Sequence, residues 1–371
     1  MATDAGQEPR LEFLDGLRAC AILPVVFFHA WLHSPALQAA RSWRLASLGS
    51  HGVELFFVIS GFCLAYPTLR KVAAGAEFAF DYRTFIARRF ARIFPPFWVA
   101  LTAFVLVAIA RPSWQSMANA GGWFFPGYST AETVQEYLLL DGGPLHNPSF
   151  WSLCVELRWY LLFPLALALF VKSPRSVVAV GLAAWCLFAT SSVRAIDLQV
   201  LPAFLLGILA ADAFVARRPW TRYAPHTFLA LLAFALSQGG DHITRGPVWQ
   251  LLAFLFVLSA IELAWLRRVL SWKPIVAIGV ASYSIYLVHE PLTIWLDTNR
   301  IAPLAVIASA LVAGIGFWAC VERPLMRPAC RNAVASWIDA AFACARAIVA
   351  LRPRKLPAPN HRGTAAPEPS R

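Results

Sequence analysis

The chain of 371 residues is short of charged side chains, since Asp, Glu, Lys and Arg make up only 14% of it. Soluble domains carry about 25% charged residues, because a fold of this size in water needs a charged surface. Hydrophobic residues make up 59% of the chain, and its mean hydropathy is +0.59. This composition excludes a disordered chain and a soluble enzyme, and it indicates a protein that crosses a membrane several times.

Paired cysteines are also lacking. None of the seven cysteines forms a C-x-x-C pair, and most lie inside apolar stretches, where cysteine behaves as a small buried hydrophobe. The pattern excludes a secreted disulfide scaffold, and we expect no metal site. Lysine is scarce as well, because nearly all the basic residues are arginine, which is typical of a GC-rich bacterium; the lysines are Lys71, Lys172, Lys273 and Lys355.

Long apolar runs dominate what is present. A helix needs about 20 apolar residues to cross about 30 Å of hydrocarbon. We therefore predict an all-α integral membrane protein, a polytopic bundle of about ten transmembrane helices. The predicted spans are 13–32, 51–69, 95–110, 150–171, 176–191, 199–216, 226–240, 248–265, 275–296 and 302–321.

The basic residues predict how the bundle is oriented. If the N-terminus lies inside the cell, most of the 32 Lys and Arg residues fall in cytoplasmic loops and the C-terminal tail. Few fall in the outer loops, as the positive-inside rule requires. We predict that both termini are cytoplasmic and that the protein lies in the inner (plasma) membrane of a bacterium. The net charge of +12 thus reports topology, and we expect no nucleic-acid partner.

Two regions are predicted, a transmembrane domain over residues 1–328 and a C-terminal region over 329–371. The longest outer connection, 111–149, is rich in Gly, Pro and aromatic residues, and we expect a cap there with a short helix near Ala131–Leu140. Asn332–Leu351 is apolar but charged on one face, which favours a helix in the membrane interface over an eleventh span, since that span would export the basic tail. A disordered basic tail is expected to follow it.

Ionisable residues inside spans are costly and mark candidate functional sites. Arg18 and His29 are eleven residues apart in the first span, which places them on one helix face about 16 Å apart along the axis. That face would present a cation near the cytoplasm and an imidazole near the outer surface. An arginine that snorkels to the interface and a histidine hydrogen-bonded in the bundle remain an open alternative.

Further polar residues fall in the outer third of the bilayer. Glu54 opens the second span, Glu156 lies about 9 Å below the outer edge of the fourth, and His289-Glu290 lies near the outer end of the ninth. A shared pocket with His29 is the economical explanation, because isolated charges there would be unpaired. A carboxylate beside a histidine orients the ring and raises its basicity.

The entry to the third span is basic. Arg88 and Arg92 are helix neighbours at i,i+4, and Arg89 and Arg92 at i,i+3. With Arg18 they would form a basic opening on the cytoplasmic side that is suited to phosphates. The alternative is that these arginines belong to an ordinary cytoplasmic loop that follows the positive-inside rule.

These motifs, in this order, resemble the membrane-bound acyltransferase family 3. The resemblance covers residues 11–327 and departs from the family at Leu157 and Arg158, where many members have Glu and Gln. The stretches that carry it are Leu14–Arg18 with His29, Gly52–Phe62, Arg89–Pro95, Trp151–Glu156 with Tyr160 and Phe163-Pro164, Ser282–His289, and Val321–Pro324.

The resemblance implies O-acyl transfer across the membrane. Acyl-CoA, expected to be acetyl-CoA, would be a co-substrate with its phosphates on the arginines, and no cofactor would be permanently bound. His29 would act as base or acyl carrier, with Glu54 or Glu156 orienting it. The acceptor would be a hydroxyl of a glycan or small molecule at the outer face. Its candidate binding residues are Trp151, Ser152, Tyr283 and His289. An interfacial anchor at Trp151 and a hydrogen-bonded bundle histidine at His289 remain open alternatives.

A proton-coupled transporter is the competing hypothesis, since buried His and Glu also suit proton-coupled transport. A transporter needs no cytoplasmic arginines aligned with a histidine, and paired broken spans are not evident in the sequence. A degenerate family member that acts as an interaction protein is a third possibility, but the full set of motifs argues against it.

Overall fold

The chain folds into helices. The computed structural model describes residues 11–39, 41–110, 130–140, 146–190, 196–237, 246–296 and 301–350. Within these ranges every regular element is helical and there is no strand, which confirms the all-α prediction. In chain order the α-helices are α1 (Glu12–Leu32), α2 (Pro35–Ala39), α3 (Gly52–Ala73), α4 (Tyr82–Ala110), α5 (Thr130–Tyr137), α6 (Trp151–Lys172), α7 (Pro174–Thr190), α8 (Ile196–Val215), α9 (Ala224–Ser237), α10 (Pro247–Glu262), α11 (Ala264–Leu270), α12 (Lys273–Val280), α13 (Ser282–Trp295), α14 (Pro303–Phe317), α15 (Arg323–Leu325) and α16 (Pro328–Ala350).

Three 3₁₀ segments and one π-helical turn complete the described elements. The 3₁₀ segments are Arg41–His51, Pro148–Phe150 and Pro219–Tyr223, and the π turn is Trp318–Glu322. π-helical turns are frequent at functional sites. The π turn of this chain buries Glu322, whose carboxylate accepts a hydrogen bond from Ser284 at 2.5 Å and so ties the turn to α13.

Each predicted span coincides with a helix, but the count of ten is not confirmed. Six described helices, some extended by an adjoining turn, are long and apolar enough to cross a membrane, and there are up to eight if each bent pair is one span. The α10–α11 pair bends by 103° and the α12–α13 pair by 68°. Helix α7 is shorter, and the count of ten and the cytoplasmic termini stay predictions.

Helices α1, α3, α8 and α13 form the centre of the bundle. Helix α1 packs on α3, α12 and α13, and α3 packs along α8. The α3–α8 seam depends on glycine, because a Cβ on Gly61 would lie 2.1 Å from the Phe204 carbonyl oxygen and one on Gly207 2.2 Å from that of Val58. Small residues allow this close approach of membrane helices.

The predicted outer cap and C-terminal region are seen only in part. Helix α5 lies where the short helix of the cap was expected, while 111–129 and 141–145 are outside the described residues. Helix α16 covers most of the predicted interfacial helix, and its position in the interface stays a prediction. The tail 351–371 is outside the described residues.

Candidate functional site

Three histidines meet one glutamate where α1 packs on α13. The Nε2 atom of His29 lies 3.5 Å from Glu290 Oε1, and Nε2 of His33 lies 3.4 Å from the same oxygen. The Nε2 atom of His289 lies 3.2 Å from His29 Nδ1. His289 and Glu290 are fully buried, so this group lies inside the bundle.

Hydrogen bonds to backbone carbonyls set the tautomers of two of these rings. His289 Nδ1 is 2.9 Å from the Tyr286 carbonyl oxygen, which can only accept, so this nitrogen carries the hydrogen. His289 Nε2 is then an acceptor and faces Nδ1 of His29, which also lies 2.9 Å from the Val25 carbonyl oxygen. In its neutral form, His29 therefore carries hydrogen on Nδ1 and leaves Nε2 free to take a proton.

Glu290 is held by the segment that precedes α6. Ser149 Oγ donates a hydrogen bond to Glu290 Oε2. Ser149 is itself fixed by Asn147, whose Oδ1 accepts from the Ser149 N–H at 3.0 Å and whose Nδ2 donates to the Leu287 carbonyl at 2.9 Å. A carboxylate held in this way can stabilise an imidazolium formed at His29, because the opposite charges lie close together in a medium of low dielectric constant.

A cavity of about 190 Å³ lies along the same bundle and is lined by α1, α3, α4, α6 and α13. Three predicted donor-binding arginines line it: Arg18, Arg89 and Arg92. Its other polar lining includes Ser60, Glu156 and Tyr160. Arg88, the fourth predicted donor-binding arginine, is exposed and does not line this cavity.

Two of these arginines contact neighbouring side chains. Arg18 Nη1 is 2.5 Å from Asp15 Oδ1, and its Nη2 is 3.2 Å from Cys63 Sγ. The Arg89 guanidinium lies 5.9 Å from the centre of the Tyr160 ring, within the range of a cation–π contact. Its buried Nε has no hydrogen-bond partner among the described residues, which leaves a donor available to an anion.

The structure does not pair His29 with the carboxylates that the sequence suggested. Glu156 accepts hydrogen bonds from Ser60 Oγ at 2.7 Å and from the Tyr160 hydroxyl, which places it in the cavity with the arginines. Glu54 lies 3.3 Å from His51 Nδ1. The carboxylate that contacts His29 is Glu290.

His51 and Glu54 form a separate pair. The His51 ring stacks on Trp249, with the ring centres 4.4 Å apart and the planes 7° apart. Trp249 lies in α10, so the ring stack ties His51 to α10, and Glu54 pairs with His51 rather than with His29.

Two of the predicted acceptor residues, Ser152 and Tyr283, line the cavity. Ser152 also connects the cavity to the His–Glu group, through Tyr286. Ser152 and Tyr286 line the cavity, and their hydroxyls are 2.6 Å apart. The Tyr286 hydroxyl also donates to the Ser149 carbonyl at 2.5 Å, and Ser149 contacts Glu290. Tyr283 lines the cavity and donates to the Ile93 carbonyl at 2.7 Å.

The other two predicted acceptor residues take different positions. Trp151 is half-buried at the start of α6 and does not line the cavity. His289 contacts His29 directly. The sequence did not single out Ser149 or Asn147, and the sequence signal for Glu290 was its place beside His289 in a span.

The chain resembles known acyltransferases in sequence. A family model described as an acyltransferase domain matches residues 11–323. The chain is 26% identical to the peptidoglycan O-acetyltransferase of Listeria monocytogenes over an alignment 368 positions long. The alignment covers 85% of this chain and 55% of the relative. It is 24% identical to an O-acetyltransferase of Staphylococcus aureus over an alignment 362 positions long. This alignment covers 85% of this chain and 57% of the relative.

The chain thus spans about half the length of these curated relatives. No solved structure matches the chain. The apolar helices and the bacterial relatives identify a bacterial multi-pass membrane protein. The family match does not favour the proton-coupled transporter.

Proposed function

The chain belongs to the acyltransferase family whose model matches residues 11–323, and from that premise we propose that it transfers an acyl group across the membrane. The donor is a cytoplasmic acyl-CoA, and acetyl-CoA is the first donor to test. The acceptor is a hydroxyl of a glycan at the outer face. Peptidoglycan is the first acceptor to test, because relatives of this chain are named for its O-acetylation.

The arginines of the cavity bind the donor in this proposal. Arg18, Arg89 and Arg92 line one cavity, and guanidinium groups suit phosphate oxygens because they donate several hydrogen bonds from one plane. Arg89 keeps a buried Nε without a protein partner among the described residues, and a phosphate oxygen supplies one. The acyl arm then extends along the cavity toward Ser152 and Tyr286.

His29 moves the proton. Its unprotonated Nε2 removes the hydrogen of the acceptor hydroxyl while the oxygen attacks the thioester carbonyl carbon. A C–O bond forms, the C–S bond breaks, and the proton on His29 passes to the departing CoA sulfur. Glu290, 3.5 Å from Nε2, stabilises the imidazolium between these steps, and His289 holds the ring in position.

A two-step variant uses the same atoms. His29 Nε2 attacks the thioester carbonyl carbon, the C–S bond breaks, and CoA leaves as the thiolate. The acceptor hydroxyl then attacks the acyl carbon, the C–N bond to the imidazole breaks, and the hydroxyl proton passes to the CoA thiolate. The two routes differ in one measurable species. Rapid quenching with labelled acyl-CoA and no acceptor traps an acyl-histidine in the two-step route and no adduct in the direct one.

The proposal rests on one observation, the contact of His29 with Glu290 and His289 in a chain of this family. It is tested with His29→Gln, and with His51→Gln as the matched control, because His51 also has a carboxylate neighbour but lies away from the site. The variants are expressed in cells that lack the protein, and surface glycans are analysed by mass spectrometry for the added acyl mass.

We expect His29→Gln to lower acylation about 10²- to 10⁴-fold, the usual contribution of a positioned general base. His51→Gln is expected to stay near the wild-type level. Normal acylation by a well-expressed His29→Gln protein contradicts the proposal.

A further inference from the structure

A second basic cavity lies apart from the site described above. Its volume is about 680 Å³, and it is bounded by α3, the end of α8, the 3₁₀ segment Pro219–Tyr223 and the α10–α11 bend. No residue lines both cavities. At the wall of the second cavity the rings of Phe62, Tyr66 and Phe214 pack together, with ring centres 5.7–5.9 Å apart.

Five arginines line this second cavity: Arg70, Arg217, Arg218, Arg222 and Arg267. Glu262 is the one carboxylate in the described lining, and it already accepts a hydrogen bond from Thr221 at 2.5 Å. Asp212, beside the cavity, pairs with Arg218 at 3.0 Å. Positive charge therefore exceeds negative charge in this space, which suits an anion that carries phosphate.

Exposed aromatic side chains surround the same region. Trp220, Tyr223, Trp265 and Trp272 are between 46% and 63% exposed, and they lie on the segments that carry Arg222 and Arg267. Exposed Trp and Tyr are enriched where a membrane protein meets the lipid headgroups. These aromatics therefore indicate a position at headgroup level for the basic cavity, on the side that the arginines predict to be cytoplasmic.

From the charge of the cavity and the surrounding aromatics, we infer a binding site for an anionic phospholipid of the cytoplasmic leaflet. Its phosphate would contact the arginines of this cavity, and its acyl chains would lie along the exposed aromatics. Basic pockets between membrane helices on the cytoplasmic side are suited to such headgroups. The site adds a lipid partner beside the acyl donor and the acceptor.

Native mass spectrometry of the full chain in mild detergent tests the site. Equal amounts of phosphatidylglycerol and phosphatidylcholine are added, and the bound lipid is counted. We expect the wild-type protein to retain phosphatidylglycerol in preference. Equal retention of the two lipids overturns the inference without the use of any variant.

A double variant locates the lipid. Arg217→Gln with Arg222→Gln removes two exposed arginines of the cavity, and Arg83→Gln with Arg175→Gln removes two exposed arginines elsewhere. We expect the first pair to weaken phosphatidylglycerol binding about 30-fold and the second to leave it unchanged. Unchanged binding in the first pair, or equal loss in both pairs, contradicts the site.

Two competitors separate a lipid from other sources of phosphate. Free coenzyme A and inorganic phosphate are each added to the protein that holds phosphatidylglycerol. We expect the lipid to remain bound, because its chains also contact the aromatic surface. Displacement by coenzyme A assigns the cavity to the donor nucleotide, and displacement by inorganic phosphate assigns it to free phosphate; either result overturns the lipid assignment.

Discussion

Among single residues, Glu290 has the largest expected effect on the chemistry of His29. It is buried, it lies 3.5 Å from the His29 nitrogen that we propose takes the proton, and Ser149 fixes its other oxygen. A proton that arrives at His29 creates a positive charge inside the bundle. Without a carboxylate nearby that charge is costly, so the barrier to proton transfer rises.

We therefore predict that Glu290→Gln lowers kcat for acyl transfer about 10- to 10³-fold. Glutamine keeps nearly the same shape and can still accept a hydrogen bond from Ser149, but it removes the negative charge. The donor KM is expected to change little, because Glu290 does not line the arginine cavity. Kinetics of the purified full chain in vesicles with varied acyl-CoA measure both constants.

Glu54→Gln is the matched control for Glu290→Gln. Glu54 also faces a histidine, but it lies at the His51–Trp249 stack and does not contact His29. We expect a kcat near that of the wild type. A larger loss with Glu54→Gln than with Glu290→Gln would falsify the assignment of Glu290 as the partner of His29.

For the arginines that we propose bind the donor, we predict a different kinetic change. Arg89→Lys keeps the charge but removes the planar set of donors, including the buried Nε without a partner among the described residues. We expect the KM for acyl-CoA to rise about tenfold, with a smaller change in kcat. Arg88→Lys, at the exposed neighbour that does not line the cavity, is expected to leave KM unchanged.

The sequence predicted which polar residues lie inside the bundle better than it predicted which of them contact one another. Arg18 and His29 could be placed on one face of one helix because helical periodicity is local. Three of the four predicted donor-binding arginines line one cavity. The partner of His29 depends on how α13 is rotated against α1, which is a tertiary property, and for that reason Glu54 and Glu156 were chosen where the structure has Glu290.

At the scale of elements, the bundle depends on close helix contacts at glycines. The α3–α8 seam has Gly61 against the Phe204 carbonyl and Gly207 against the Val58 carbonyl. Helix α3 carries Ser60 and Cys63 in the wall of the cavity that Arg18 lines, so the seam also positions that wall. A wider seam is expected to move the wall away from Arg18.

We predict that Gly61→Ala lowers the stability of the protein by about 1–3 kcal/mol. The added Cβ would lie 2.1 Å from a backbone oxygen that cannot move without shifting α8. The gain in helix propensity, about 1 kcal/mol, does not offset this overlap. Thermal unfolding of the purified protein in detergent measures the difference as a lower Tm.

Gly316→Ala in α14 is the control for the seam. A Cβ at this position meets nothing within 4 Å, so helix propensity alone decides the result. We expect an unchanged or slightly higher Tm. If Gly61→Ala proved as stable as Gly316→Ala, the close α3–α8 contact would be wrong.

The sequence located the helices but not their bends. Hydrophobic runs gave a helix for each predicted span, because apolar length is a strong local signal. The 103° bend between α10 and α11 and the 68° bend between α12 and α13 were not predicted. At the second bend, Gly279 lets α12 approach the Asp15 carbonyl, a contact between distant segments that periodicity cannot show.

At the scale of the whole molecule, the number of spans decides on which side each loop lies. Eight spans follow if each bent pair crosses once, and α7 and α9 would add two more. Without α7 as a span, Arg217, Arg218 and Arg222 would fall on the outer side. The positive-inside rule therefore favours a bundle in which the short helices also cross.

This arrangement predicts the accessibility of residue 216. Ala216 is exposed beside the basic loop, so Ala216→Cys in a background without the native cysteines reports the side of that loop. With a thiol reagent that cannot cross membranes, we expect labelling only after the cells are permeabilised. Labelling in intact cells would place the loop outside and contradict both the ten-span topology and the cytoplasmic lipid site.

The most direct test of transmembrane transfer separates the donor from the acceptor. The purified full chain is placed in sealed vesicles, with labelled acetyl-CoA on the side of the cytoplasmic loops and a soluble peptidoglycan fragment on the other side. Transfer of the label to the fragment is measured for the wild type and for His29→Gln. We predict labelled fragment across the intact bilayer with the wild type and almost none with His29→Gln. Transfer only when donor and acceptor share one side would contradict transmembrane transfer, and equal transfer by both proteins would contradict the role of His29.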